Sequence, residues 1–345
     1  MLILTEPQIR ELVDADAARA AMADAFRALH EGAATIADVI SLSFIDPRGV
    51  AHIKAGHVHS DAVWTAKISA DFYPDNGKGT LHSGLMLVMS SVDGTLTSVL
   101  LDNGYLTELR TGAAGALAAD LLARTDSTTV GIIGAGNQAR YQLDALLRVR
   151  AIKNVRIASR TRSRADLFAT EIISSHGLEV DVFDSLVDAV RGADIVLTTT
   201  PSPRALFQAD WVAPGVHITA VGSDEPAKQE LDARVLARAD IIAVDDRGQA
   251  GRFGELHHAI DAGFRSEADV VTLGELVAGT APGRTSAEDV TVADLTGVGV
   301  QDAAIAALVL HRAVASESGR LAGRSHNDQS IIAPAVTGDG AGANS

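Results

Sequence analysis

The chain has no cysteine. That excludes disulfides, thiolate catalysis and cysteine-ligated zinc, and it agrees with a cytoplasmic protein. No apolar run approaches the ~18 residues that span a bilayer, so no membrane partner is expected. The opening Met1-Leu-Ile-Leu-Thr-Glu6 turns acidic and helical too soon for a signal peptide. Basic residues are in the minority, 29 Lys and Arg against 44 Asp and Glu, for a formal charge of −15. Such a balance disfavours nucleic acid as a partner, although it leaves open the local charge of a cleft. No internal repeat is apparent.

What is present is enough for about two domains by the usual size prior, with 345 residues of which 47% are hydrophobic. The organising stretch runs from Thr128 to Ala139. A β-branched apolar run, Val130 to Ile133, breaks at Gly134-Ala135-Gly136, and a helical pattern (Ala139, Leu143, Leu146, Leu147) begins at once. A buried strand that turns through glycines into a helix N-terminus presents unpaired N–H groups and a positive dipole end to one point. Gly134 permits the tight turn, Gly136 lets a pyrophosphate approach the backbone, and Ala139 stands at the third fingerprint position. This is a dinucleotide site by context, where a bare G-x-G-x-x-A is an ordinary turn.

Before the loop, Thr5-x-x-Gln8 reads as a capping box opening one amphipathic helix, with a break near Asp14-Ala-Asp16. From Ile36 to Leu101 the period becomes two. Ile36–Ile45, Val50–Val58, Val63–Ala70, Gly84–Ser90 and Leu96–Leu101 read as strands of a five- or six-stranded sheet. Lys67 sits among apolar residues on the face of Val63 and Thr65. Either it meets an anion there or it lies at an edge and snorkels to water. Next comes a small-residue helix, Leu106 to about Ala123, whose Ala and Gly content implies close packing. Arg110 near its start suits a bidentate grip on a carboxylate, or else a surface salt bridge.

After the loop, strands (Val155–Ala158, Val180–Val182, Ile195–Thr200, Val216–Val221, Ile241–Val244) alternate with helices (Ser163–Ser174, Leu186–Arg191, Leu231–Arg238). The fold class is therefore α/β, a Rossmann-type doubly wound parallel sheet with an α+β part before it. Ligands of such sheets lie beyond the carboxyl ends of the strands. Thr198-Thr199-Thr200-Pro-Ser202 and Val221-Gly-Ser223-Asp224-Glu-Pro226 fall there, which puts Asp224 at the cleft rim. The second strand ends Ile157-Ala-Ser159-Arg160-Thr161-Arg-Ser-Arg164, with three arginines and no carboxylate. An NAD site normally carries an acid there for the ribose 2′-hydroxyl, so NADPH is expected rather than NADH. His52, His57 and His59 lack metal-ligand spacing, and Glu255-Leu-His-His258 reads as a solvated helix face, so no metal is expected. Gly323–Ser345, rich in Gly, Ala, Ser and Asn without period, reads as a disordered tail.

Taken together, Lys67, Leu106–Ala114, Gly131–Ala139, Gly222–Leu231 and Leu295–Asp302 resemble the ornithine cyclodeaminase/mu-crystallin family over residues 1 to about 320. The resemblance implies a discontinuous substrate-binding and dimerisation domain (1–121 and 301–322), a Rossmann domain (122–300) and a homodimer. It also implies a small α-amino or α-imino acid ligand. Carried over, Lys67 and Arg110 match the substrate-carboxylate ligands, and Asp224, with Lys67, the catalytic set. Ala135, Gly136, Asn137 and Gln138 match the pyrophosphate loop begun by Gly134, and Ser159-Arg160-Thr161 the 2′-phosphate site. Thr111, Thr199, Thr200 and Ser223 join them as cofactor contacts. The family's usual early-strand arginine is missing from Ile36–Asp46, with Arg48 displaced into a turn, and His82 is placed to recognise a further polar group. The activity implied is an NADPH-dependent ketimine reductase, of the pyrroline-2-carboxylate type. The alternatives are a redox-neutral cyclodeaminase, an amino-acid dehydrogenase, or a non-catalytic crystallin-like binding protein.

Overall fold

The computed structural model describes residues 1–46, 48–72 and 81–322, with side chains through residue 316. The tail expected from 323 lies outside the described residues. Two large sheets carry the architecture, and no described helix is long and apolar enough to cross a membrane.

The first sheet is seven-stranded, in the order Leu2–Thr5, Leu96–Leu101, Leu81–Ser90, Val63–Phe72, Arg48–Val58, Ala34–Ile36, with Ile40–Ile45 also on Arg48–Val58. All pairings are antiparallel except that of Leu2–Thr5 with Leu96–Leu101. Two expectations change here. The residues before Glu6 form an additional edge strand, too short to show a period. The segment read as one strand from Ile36 is two, because the register slips by one residue between Ile36↔Gly56 and Ile40↔Ile53. One extra residue on one side of a ladder interrupts it. The capping box at Thr5 and the helix break are both present: Glu6–Leu12 ends, Asp14 caps Ala17 N–H at 2.8 Å, and Ala15–His30 begins.

One face of this sheet carries Leu4, Leu100, Met86 and Val88, all buried under Ala15–His30, the small-residue helix Tyr105–Leu122 and the returning helix Gly299–Ala322. The returning helix touches the sheet backbone to backbone. A Cβ on Gly56 would overlap the Gly299 carbonyl, and one on Gly299 would overlap Ala55. Small residues are required at that crossing, and larger ones would lift the helix. Tyr105–Leu122 in turn packs so closely on Asn137–Leu146 that a Cβ at Gly112 would stand 2.6 Å from the Tyr141 carbonyl oxygen.

The second sheet is wholly parallel and eight-stranded: Glu179–Phe183, Asn154–Ala158, Thr129–Ile133, Ile195–Thr198, His217–Ala220, Thr291–Asp294, Ile241–Val244, Val271–Thr272. Its first five strands in chain order stand in space as 3-2-1-4-5, and the order reverses between Thr129–Ile133 and Ile195–Thr198. A ligand crevice opens at such a reversal, beyond the carboxyl ends. Thr291–Asp294 was not expected. Only four residues long, it inserts beside His217–Ala220 and leads straight into the turn before Gly299. A small third sheet pairs Pro203–Phe207 with Gln229–Leu231.

Candidate active site

At the reversal point Gly134 adopts φ +118°, and a Cβ there would come within 2.6 Å of Thr199 Oγ1. Gly136 caps Asn137–Leu146, and a Cβ there would meet nothing within 4 Å. The helix N-terminus therefore faces open space, as an anion site requires. Arg140 reaches back from the helix, donating from Nη1 to the carbonyls of Ala135 (3.1 Å) and Gly136 (3.0 Å). Gln138 donates to the Glu108 carboxylate, joining the loop to the small-residue helix. These features fit a dinucleotide pyrophosphate. At the end of the second strand Ser159 is half-buried, while Arg160 and Thr161 are exposed. Arg162 is engaged by Asp166 and Asp184, each at 2.9 Å.

Between this loop and the covered face of the first sheet lies a cavity of about 670 Å³. Among the expected residues it gathers Lys67, Arg110, His82 and Asp224 with Thr111, Thr199 and the loop residues Ala135 to Gln138. Gly134 lies beneath it, and Ser159, Arg160 and Thr161 stand apart at the open strand end. Two expected contacts are used elsewhere. Thr200 donates its hydroxyl to Glu230 at 2.8 Å, and the buried Ser223 hydroxyl donates to the Lys228 carbonyl at 2.6 Å.

Lys67 lies on an interior strand, with neighbours on both sides, so the snorkelling alternative is excluded. It is 2% exposed, and its ammonium meets Asp302 Oδ2 at 3.1 Å. Arg110 is buried too, its Nε 3.2 Å from Asp302 Oδ1 and its Nη1 donating to Gln301 Oε1 at 3.2 Å. Gly297, at φ +77°, makes room for the guanidinium, since a Cβ there would sit 2.7 Å from Nη1. Where the early-strand arginine is missing, the structure places another cation one strand inward. Lys54, directly opposite Lys67, is buried and lines the same cavity, donating to the carbonyls of Thr296 (3.0 Å) and Gly297 (2.7 Å). Arg48 opens the strand Arg48–Val58 rather than a turn.

Three buried cations thus converge on one buried carboxylate. Burial would raise the Asp302 carboxyl, but Lys67, Arg110 and Lys54 outweigh it and hold the group below the usual range. Burial pushes the Lys67 ammonium down to about 7, against the pull of Asp302. Lys54 is lowered by burial and then by Arg110. Burial is thus the main cause that makes these two ammoniums easy to deprotonate, and an anion close to them would oppose it.

Asp224 faces these cations from the parallel sheet. Burial alone would raise its carboxyl, yet Lys228, Lys54 and His52 together hold it well below the usual carboxylate range, so it is an anion at neutral pH. Its Oδ1 accepts from Lys228 Nζ at 2.8 Å. His82 pairs across the sheet with Asp71, Nδ1 to Oδ1 at 2.7 Å, and that bond raises the imidazole's affinity for a proton.

The sequence reading missed four residues that build the site. Lys54 and Asp302 are described above. Glu230 is fully buried, and it accepts the Thr198 hydroxyl and the Gly222 N–H, each at 2.8 Å, tying the Thr199 loop to the Asp224 loop. Burial raises its carboxyl to about 7. Glu255 corrects the solvated-face reading: it is 1% exposed and accepts the N–H groups of Glu230 (2.7 Å) and Leu231 (3.0 Å). Only Asp302, set in Val300-Gln-Asp-Ala-Ala-Ile305, offered a signal, an acid opening an apolar helix. Among the described residues no group of three His, Asp or Glu side chains is placed to hold a metal.

The sequence model of the ornithine cyclodeaminase/mu-crystallin family matches residues 1–317. An uncharacterized cyclodeaminase of Sinorhizobium fredii is 43% identical, over 93% of this chain and 98% of its own. An archaeal alanine dehydrogenase dimer with bound NAD superposes with a TM-score of 0.85 at 36% identity, covering 92% of this chain and 97% of that one. The Δ1-pyrroline-2-carboxylate reductase of Thermococcus litoralis, in complex with NADH and L-proline, superposes at 0.86 with 26% identity, covering 92% and 98%.

A lysine pushed down to about 7 predicts proton uptake on anion binding. Above pH 7 the free site is largely deprotonated at Lys67, and a bound carboxylate raises the ammonium's affinity for its proton. Calorimetric titration of acetate, as a plain carboxylate probe, at pH 8 in buffers of differing ionisation enthalpy should show uptake of a fraction of a proton. Lys67→Met should abolish the buffer dependence. A wild-type signal independent of buffer would contradict the assignment.

Proposed function

The chain belongs to the ornithine cyclodeaminase/mu-crystallin family, and from that premise we propose that it reduces the C=N bond of an α-imino acid with hydride from a nicotinamide cofactor. The supporting observation is that the three buried cations and the pyrophosphate-type loop line one cavity. Lys54, Lys67 and Arg110 hold the substrate carboxylate, which turns the imine carbon toward the loop side. The cofactor supplies hydride there when bound. Transfer to a neutral imine would leave negative charge on nitrogen, so the reacting form is the iminium. The Asp224 anion, held charged by Lys228, Lys54 and His52, stabilises that cation electrostatically. Lys67, near neutrality in the free site, and His82, which Asp71 makes more basic, are groups of the cavity able to exchange a proton at working pH.

The preferred cofactor is NADPH. Both solved relatives hold the unphosphorylated form. The reading rests instead on this chain's own strand end, where Arg160 is exposed and no carboxylate stands between Ala158 and Arg164. A 2′-phosphate there gains charge-assisted hydrogen bonds. The protein is also proposed to form a homodimer through the uncovered face of the first sheet. Ile3, Leu42, Ile68 and Leu101, on alternate positions of four strands, remain 37–53% exposed there. An apolar sheet face left open in a monomer marks an interface.

Three measurements check this. Oxidation of NADPH with Δ1-pyrroline-2-carboxylate, or with 2-oxo acids plus ammonia, should be catalysed, and Asp224→Asn should lose about 10²–10³ in kcat with cofactor affinity kept. Ammonia release from ornithine or lysine without net NADPH change would assign the cyclodeaminase instead. In cofactor titrations, Arg160→Ala should weaken NADPH by about 1.5–3 kcal/mol and leave NADH unchanged; equal wild-type affinities would sink the NADPH preference. Light scattering should give twice the chain mass, and Ile68→Asp should give a folded monomer.

A further inference from the structure

Lys228 has no part in the cavity wall, yet its ammonium is the nearest cation to the Asp224 carboxylate. It is largely buried, 2.8 Å from Asp224 Oδ1 and 2.6 Å from Glu225 Oε1. Its backbone is fixed as well. The Lys228 carbonyl accepts from the Ser223 hydroxyl at 2.6 Å and from His258 Nε2 at 2.8 Å, and its N–H donates to the Glu225 carbonyl at 3.1 Å. Three residues of loop separate Asp224 from Lys228, and both ends are anchored, since Gly222 is held by Glu230. From the other side the strand Arg48–Val58 presents Lys54, and also His52, whose Nε2 lies 3.6 Å from Glu225 Oε1. Asp224 therefore faces two carboxylate-neutralising sides, one of which, Lys54, is committed to the substrate site.

We propose that Lys228 is a positioning residue for the reaction: seated behind Asp224, it aims that carboxylate into the cavity and keeps it an anion opposite the imine nitrogen. The proposal rests on the reading of Asp224 given above. Without the ammonium, Asp224 and Glu225 are adjacent, partly desolvated carboxylates that share only the His52 imidazole, and like charges so placed cannot both stay ionised cheaply. The proton taken up removes the charge that the iminium needs. Burial acts in the same direction, because it is the largest influence raising the Asp224 carboxyl and Lys228 is the largest opposing it. The ammonium is itself stabilised: burial would lower it, but Asp224 and Glu225 raise it far above its ordinary value. Lys228 consequently stays charged throughout the working range and serves as a fixed counter-ion rather than as a proton donor.

The test compares full-length wild type, Lys228→Arg, Lys228→Met and Lys228→Gln, each labelled with aspartate carrying ¹³C at Cγ. The Asp224→Asn spectrum assigns the Asp224 resonance. In wild type and Lys228→Arg that resonance should remain ionised down to the acid limit of the fold. In Lys228→Met and Lys228→Gln its midpoint should move up by about 1–3 pH units, the span that loss of a neighbouring opposite charge produces. The acid limb of kcat/KM, measured on whichever imine the wild type reduces, should follow the same shift, with the arginine variant restoring it. A purely structural lysine would lower rates equally at every pH and leave the resonance in place. That result in both charge-deleting variants, or a moved resonance with an unmoved limb, overturns the proposal. The titration needs no substrate, so a wild type that reduces no imine defeats the functional reading alone and is told apart from failure of the Lys228 assignment.

Discussion

The site depends on a single buried anion, Asp302, in the first turn of the returning helix. It is fully enclosed, and it stands between Lys67 and Arg110. Without it three cations would share one desolvated cavity, an arrangement that costs several kcal/mol per unpaired charge. One carboxylate among three cations stabilises the site only in part. The remaining positive charge faces the cavity, where Asp224 also stands, so an anion that entered would relieve repulsion the empty site retains. The close approach of Gly56 to Gly299 brings the helix near enough for Asp302 to reach both cations.

A second group of acids works by a different principle. Glu230, Glu255 and Asp294 are buried without cationic partners and are satisfied by backbone N–H and hydroxyl donors. Burial raises Glu230 and Asp294 to about 7. They clamp loops that emerge from separate strands, so that Thr199 and Asp224 hold their places without contacting one another. The placement of Asp224 is thus inherited from the carboxyl ends of the parallel sheet, while the cations of the pocket come largely from the mixed sheet.

The features legible in the sequence were those whose cause is local. The glycine loop announces itself because strand, turn and helix are consecutive. Lys67 stood out because it interrupts an apolar run, and Asp224 because strand ends of an α/β sheet carry ligands. Lys54 did not stand out: within His52-Ile-Lys-Ala its alternation resembles that of any half-exposed strand, and only its pairing opposite Lys67 gives it meaning. Asp302 and Glu255 were hidden for the same reason, their partners lying far along the chain or on another element. Leu2–Thr5 and Thr291–Asp294 were missed because four residues cannot display a period. The bulge that splits Ala34–Ile36 from Ile40–Ile45 is a property of the ladder, not of either strand's composition.

The junction of the returning helix with the first sheet also bears on how the molecule is made. Lys54 donates to carbonyls 242 and 243 positions later in the chain, and Lys67 waits equally long for Asp302. During synthesis the mixed sheet emerges first and cannot bury these two ammoniums until the whole parallel domain has left the ribosome. The glycine-loop sheet closes largely on itself and can fold beforehand, as domains do. The contacts that Lys54 and Lys67 make with the end of the chain are therefore the last of the pocket's contacts to become available. A nascent chain stopped short of Asp302 lacks the buried carboxylate that stands between Lys67 and Arg110.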